Sequence, residues 1–355
     1  MKRNSIQKIL LSFSISLISV ILAMIVGAIV IAFLGENPWQ AYSSLITGAF
    51  GTLRAITVTL TQSVPVVLTG LAVALAFKCS VFNIGAEGQL LVGAMFAAIA
   101  GIYLDLPAAL HIPAAMMAAM LGGILSAFVP ALLKLKCNVE VIISTIMFNY
   151  IAQFLVQFLI VGPLAGPTAS AASDAINPTA SLPALLPAPF VLNLGIIIAI
   201  LMVVFVHVLF TKTTIGYEMR ATGFNPDASQ TAGINVSKNM FLALLLSGAI
   251  AGLAGGIEVT GSMGRIINNF SPGYGFTGIP VALMARGNPF AILLTALLIG
   301  SMRSGAVMMQ ASVGVSRSFV DIIQGLIVVF LCAEGVIRYY FNNFLANKKL
   351  KAQRG

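Results

Sequence analysis

The sequence predicts an all-α, polytopic integral membrane protein with about ten transmembrane helices, in a range of roughly eight to ten, and both termini in the cytoplasm. Three observations predict it. Hydrophobic residues make up 59% of the 355-residue chain and charged residues only 8%, far below the roughly 25% charge that a soluble globular surface carries. Apolar runs long enough to cross a bilayer recur along the chain, beginning with Ile9 to Leu34, which holds no charge. Lipid offers the backbone no hydrogen-bond partner, so such runs are helices; the alternating segments of about ten residues that mark a membrane barrel are absent. Finally, the net charge of +9 is unevenly distributed. A cytoplasmic start puts all but four of the 19 Lys and Arg inside, leaving Arg54, Arg265, Arg303 and Arg317 outside. The basic balance therefore reports topology, not nucleic-acid binding.

One transmembrane domain covers 1–355. The first run follows Lys2, Arg3 and Lys8, but it is too long for a signal-peptide core and lacks a small-residue cleavage site, so an uncleaved helix is expected. Residues 35–55 form an outside, partly helical interfacial segment, with Trp39 and Tyr42 at headgroup level. Pro65 should kink the second crossing. Lys78–Gln89, KCSVFNIGAEGQ, interrupts two apolar runs with Asn83, Glu87 and Gln89. It is either a simple hairpin loop or a broken helix at membrane depth, tolerated only beside protein or a watery cavity. Glu140 stands four residues after Lys136, a spacing that would pair them on one helix. Residues 162–189 form a Pro-rich outside loop without Lys or Arg, either a docking surface or a tolerated connection. Two short crossings flank Arg286, and a last helix starts at Phe319. The basic tail is either lipid-associated or frayed. Glycine-rich stretches such as Gly248–Gly256 let helices pack closely.

The chemistry of the chain is mostly one of exclusion. No phosphate-binding loop, HExxH pair or nucleophile elbow is present, so no catalytic residue is expected. Cys79, Cys137 and Cys332 make no metal or disulfide spacing, and no metal site is expected. The informative segment is 211–238, the longest polar stretch on the inside face. Asn225 reads as an N-cap, Pro226 as the first helical residue, Asp227 as charge set against the helix dipole, and Gly233 as the stop. Together they define a two-turn helix over about 226–232. So short a helix is marginal alone and gains stability by docking, and its small residues Ala228, Ser229, Thr231 and Ala232 suit a partner's groove.

GYEMRATGFNPDASQTAGI resembles the cytoplasmic coupling loop of ATP-binding-cassette importer permeases, in the branch that holds ribose and nucleoside permeases. The matching positions are Gly216, Arg220, Ala221, Gly223, Asn225, Ala228 and Gly233-Ile234. FNIGAEGQ, Phe82–Gln89, and GLAGGIEVTGS, Gly252–Ser262, resemble the nucleoside-type members. The resemblance implies a translocation subunit and not an enzyme, with ATP and Mg bound by a separate cytoplasmic ATPase and no cofactor on this chain. It implies a coupling contact made by Gly216, Arg220, Ala221, Gly223, Asn225, Pro226, Asp227, Ala228 and Gly233. It further implies a second permease, commonly a different chain, an extracellular substrate-binding lipoprotein, and residence in the bacterial inner membrane. Nucleosides are the expected cargo and simple sugars the alternative. An ion-coupled secondary transporter is the reading from another class. For the solute path the sequence offers Asn83, Glu87, Gln89, Asn149 and Gln153, with Phe148 or Tyr150 as stacking partners. Glu87 is equally suited to a structural role, capping a helix or bonding backbone amides.

Overall fold

The computed structural model describes residues 21–33, 35–167, 171–316 and 318–332. The start of the first crossing, Arg317 and the basic tail lie outside the described residues. Every long element is a helix: α1 (Ile21–Phe33), α2 (Pro38–Phe50), α3 (Leu53–Phe77), α4 (Ala86–Tyr103), α5 (Ala108–Cys137), α6 (Val141–Val161) and α7 (Gly195–Lys212). Then come α8 (Thr214–Phe224), α9 (Pro226–Thr231), α10 (Val236–Glu258), α11 (Tyr274–Met284), α12 (Pro289–Val313) and α13 (Ser318–Cys332). Among the described residues, 7 helices are long and apolar enough to cross a membrane, or up to 8 if α1 and α2 form one bent span.

Of the two short crossings that the sequence places around Arg286, only one is short. The polar group Ser301, Arg303 and Ser304 does not end a helix, and α12 runs through it for 25 residues. In contrast α11 has 11 residues, about 16 Å of helix against a hydrocarbon core of roughly 30 Å. It is a half-length helix. The apolar stretch from Ala86 to Tyr103 forms a full helix, α4, of 18 residues.

The helices divide into two compact units, residues 53–301 and the two flanking segments. In the larger unit α3, α4 and α10 are buried along most of their length, while α5, α6 and α7 bury one face and turn Leu, Ile and Phe outward. That is the pattern of a bundle whose rim faces lipid. Close approach at the centre depends on missing side chains. A Cβ placed on Gly248 would meet the Gly123 carbonyl oxygen, and one on Gly255 would meet that of Leu90, so α10 packs backbone to backbone on α5 and α4. Pro65 lies inside α3, which continues as one helix. The last turn of α10 widens into a π turn at Val259–Met263.

Segment 162–193 is not a loose connection. Its backbone bonds to the π turn and beyond, Leu182 N to Thr260 O at 2.8 Å and Ser173 N to Ile266 O at 2.8 Å. His111, fully buried on α5, donates from Nε2 to Ala100 O and meets the Thr179 hydroxyl through Nδ1 at 2.8 Å. The Lys136–Glu140 pairing does not arise, because α5 stops at Cys137 and Asn138 turns left-handed (φ 50). Lys134 reaches Asn138 Oδ1 instead.

In the flanking unit α1 and α2 meet at 120°. Asn37 caps α2 by accepting from Trp39 N at 2.9 Å, and the Tyr42 hydroxyl donates to Met24 O at 2.6 Å. Trp39 is 84% exposed.

Candidate functional site

Two places gather the polar residues that the sequence singles out, and both belong to the larger unit. The first is the α8–α9 hairpin. Thr213 caps α8 by accepting from Gly216 N at 3.0 Å, and Gly216 lies so close to α7 that a Cβ would strike Leu209 O. The inner face of α8 is Gly216, Met219 and Thr222, at helical spacing and buried. Glu218 accepts from Asn239 Nδ2 at 3.0 Å, tying α8 to the start of α10, and Arg220 Nε bends back to Gly216 O at 3.4 Å. At the far end Gly223 packs on the α3–α4 turn. Ala221 and Gly223 are half-buried, whereas Phe224 is 90% exposed.

Residue Asn225 ends α8 and begins α9. Its side chain accepts from Ala228 N at 3.0 Å, with Pro226 at the first helical position and Asp227 in the first turn. Gly233 stops the helix at φ +85, with Gly233 N on Gln230 O and Ile234 N on Ser229 O, both 3.0 Å. This is the paired closure of a Schellman end, and it satisfies the last carbonyls. Only Ser229 of α9 is buried. The helix is therefore complete in its own hydrogen bonds and open on its outer side.

The second place is the broken segment between α3 and α4. Asn83 is fully buried, accepting from Gly85 N and donating to Gln89 Oε1 and to Ser247 Oγ at 3.0 and 2.8 Å. The Ser247 hydroxyl donates in turn to Ala72 O at 2.7 Å. One amide thus fastens the segment to α3, α4 and α10. Asn149 of α6 spends both ends of its side chain on the same segment, accepting from Gly88 N at 2.8 Å and donating to Ile84 O at 3.0 Å. Residue Glu87 is 7% exposed, and its Oε2 accepts from Gly275 N in the first turn of α11 at 2.6 Å. The starts of α4 and α11 therefore meet across one carboxylate, which the positive end of each helix stabilises. Their approach requires Gly275, since a Cβ there would strike Glu87 N. Thr69 of α3 ties the same corner through its hydroxyl on Tyr274 O at 3.0 Å.

Beside this corner opens a pocket of about 330 Å³, lined by Glu87, by Asn149, Tyr150 and Gln153 of α6, and by Asn269 and Phe270 of the segment entering α11. The pocket does not include Asn83, Gln89 or Phe148. Carboxylate, carboxamide and aromatic groups share its wall, and Gln153 Nε2 reaches Asn269 Oδ1 at 3.5 Å. Such a wall can hydrogen-bond and stack on a neutral polar solute. What sequence reasoning missed is the contribution of 264–273, part of the glycine-rich stretch Gly261–Gly275. Its signal is the pair Asn268-Asn269 set directly before Phe270, a polar cluster out of place in a plain connection. Glu258 is buried at the end of α10. Cys79 is buried and Cys137 exposed, and burial pushes the Cys79 thiol up to about 12.

Comparison with known proteins gives a consistent picture. The family model described as branched-chain amino acid transport system / permease component matches residues 55–332. A guanosine ABC transporter permease protein of Bacillus subtilis is 38% identical over 92% of this chain and 94% of its own. A glucose ABC transporter permease protein of Haloferax volcanii is 33% identical over 93% of this chain and 90% of its own. A nucleoside ABC transporter permease protein of Lactococcus lactis is 32% identical over 99% of this chain and 98% of its own.

Proposed function

We infer, since this chain belongs to the branched-chain amino acid transport system permease family, that it is the membrane-spanning subunit of an ATP-binding-cassette importer with a nucleoside as its cargo. The observation that carries the cargo is the likeness to a guanosine permease along 92% of the chain, joined by a nucleoside permease along 99%. The glucose permease, similar over nearly as much of the chain, keeps a simple sugar as the second reading. Both cargoes are neutral and rich in hydrogen-bonding groups, as the pocket wall requires. A base in addition presents a flat face to Tyr150 and Phe270.

In this reading the chain performs no chemistry. ATP and Mg bind to a separate cytoplasmic ATPase, and α9 is the part that the ATPase grips. Asn225, Pro226, Asp227, Ala228 and Gly233 build that helix, while Gly216, Arg220, Ala221 and Gly223 hold α8 beneath it. Closure of the ATPase pair moves α8–α9 and alternates access to the pocket. Glu87, Asn149 and Gln153 line the solute route, with Asn83 and Gln89 behind the wall. A second permease, a different chain, completes the pathway, and an extracellular lipoprotein delivers solute to the clamped 162–193 segment. Ten crossings of the bacterial inner membrane, with the termini inside, follow if α1, α11 and α13 join the seven long helices.

The test is uptake into vesicles holding the whole complex, with labelled guanosine, uridine, glucose and ribose, with and without ATP. Nucleoside uptake that requires ATP is the expected result. Sugar uptake alone moves the chain to the second reading. Uptake that ignores ATP and follows an ion gradient overturns the importer assignment.

A further inference from the structure

The turn between α3 and α4, Lys78–Cys79–Ser80, touches both ends of the machinery. On one side the Ser80 hydroxyl donates to Gly223 O at 2.9 Å, and Gly223 stands two residues before the Asn225 cap of α9. The contact is close because Gly223 has no side chain; a Cβ there would strike Lys78 O. On another side the Lys78 stem lies over Gly287, just past the end of α11, where a Cβ would stand 2.9 Å from Lys78 Cε. Along the chain, the turn leads within seven residues to Glu87, which holds the opposite end of α11 through Gly275 N. The path between is stiff. The rings of Phe77 and Phe82 stack at 4.5 Å, Val81 N bonds to Ala76 O at 3.1 Å, and Asn83 is fastened on three sides.

Ser80 also occupies an uncommon conformation, with φ at 57°. Left-handed backbone is disfavoured for residues with a side chain, and where one is held there the surroundings must over-determine it. A glycine would relieve the turn but would lose the hydroxyl that reaches Gly223 O. The combination of a strained position and a donor aimed at α8 is what singles Ser80 out.

We propose that Ser80 is a positioning residue for translocation: its hydroxyl latches the end of α8, and α9 with it, to the segment that carries Glu87 and the pocket wall. A displacement of α9 is thereby delivered to both ends of α11 and to the start of α4. The latch rests on the reading of α9 as the ATPase contact and of the pocket as the solute route.

Two substitutions separate the latch from the fold. Ser80→Gly keeps the left-handed turn, which glycine adopts freely, and removes the donor. Ser80→Asn keeps both, because asparagine tolerates this conformation and its carboxamide donates. In vesicles holding the whole complex, solute moved per ATP hydrolysed should fall about fivefold in Ser80→Gly and recover in Ser80→Asn, within the usual range of coupling between sites. An unchanged ratio in Ser80→Gly, or an equal loss in both variants, overturns the latch. The second measurement is amide hydrogen exchange of the purified chain, which needs no ATPase. The latch requires that Ser80→Gly speed exchange in 84–90 and 274–278 as well as in 221–226. A change confined to 221–226 overturns it. Failure of the unaltered complex to couple uptake to ATP sinks the importer reading alone, and the exchange comparison then decides the latch by itself.

Discussion

Helix α9 and the Asn83–Gln89 segment are both short polar interruptions of an apolar chain, yet they are stabilised in opposite ways. In α9 every polar contact is local: Asn225 to Ala228, Gly233 to Gln230, Ile234 to Ser229. In the other segment the partners come from far along the chain: Ser247 for Asn83, Gly275 for Glu87, and Asn149 for Gly88 and Ile84. One is exposed and autonomous, the other buried and held by three helices, α6, α10 and α11. A self-contained helix can be displaced as a body without disturbing its bonds. A segment fastened on all sides can only move together with what holds it. The pair suits a machine in which one part receives a push and the other transmits it.

The comparison breaks most visibly at glycine. Gly275→Val places a side chain where Glu87 N already stands, and the starts of α4 and α11 cannot then approach. The outcome expected is loss of monodisperse protein in size-exclusion chromatography of the detergent extract. Gly233→Ala meets nothing within 4 Å and faces only the left-handed penalty of about 1–2 kcal/mol. That protein should still elute as the parent does. Equal behaviour of the two variants would erase the distinction between the regions.

The same contrast explains how much was legible. The caps of α9 could be read because each partner lies within five residues of the other. The apolar runs could be read because composition alone decides membrane helices. For Glu87 the sequence left two roles open, since nothing local names Gly275, 188 positions away. Asn149 and Gln153 looked equivalent, one helical turn apart on α6. Structure separates them, because Asn149 spends both ends of its carboxamide on backbone and Gln153 does not. The shortness of α11 was legible as one of the two short crossings around Arg286, whereas the full length of α12 was not, since Ser301, Arg303 and Ser304 interrupt its apolar pattern.

A middle-sized effect belongs to Asn83→Ala. It strips the acceptor from Gly85 N and the donor from Ser247 Oγ, both buried. Each stranded buried group costs about 1–3 kcal/mol, so thermal unfolding of the detergent-purified protein should shift down by several degrees. Asn83→Asp keeps an acceptor for Gly85 N but buries a carboxyl group where the donor stood, and should melt no higher than Asn83→Ala. A parent-like melting temperature in Asn83→Ala would mean that the segment is held by packing alone.

The smallest effect tests autonomy directly. Asn225→Ala removes the cap of α9, at about 1 kcal/mol for an N-cap asparagine. Because α9 owes its bonds to itself, that loss should stay inside it. Amide exchange at Ala228 should quicken about fivefold, the population change that 1 kcal/mol brings, while the melting temperature of the whole protein stays put. Asn225→Ser, which can accept the same bond, should restore slow exchange. A fall in global melting temperature would mean instead that α9 is part of the bundle's cooperative core. It could not then move as a body against the rest, and the division between a part that is pushed and a part that transmits would fail at its first element.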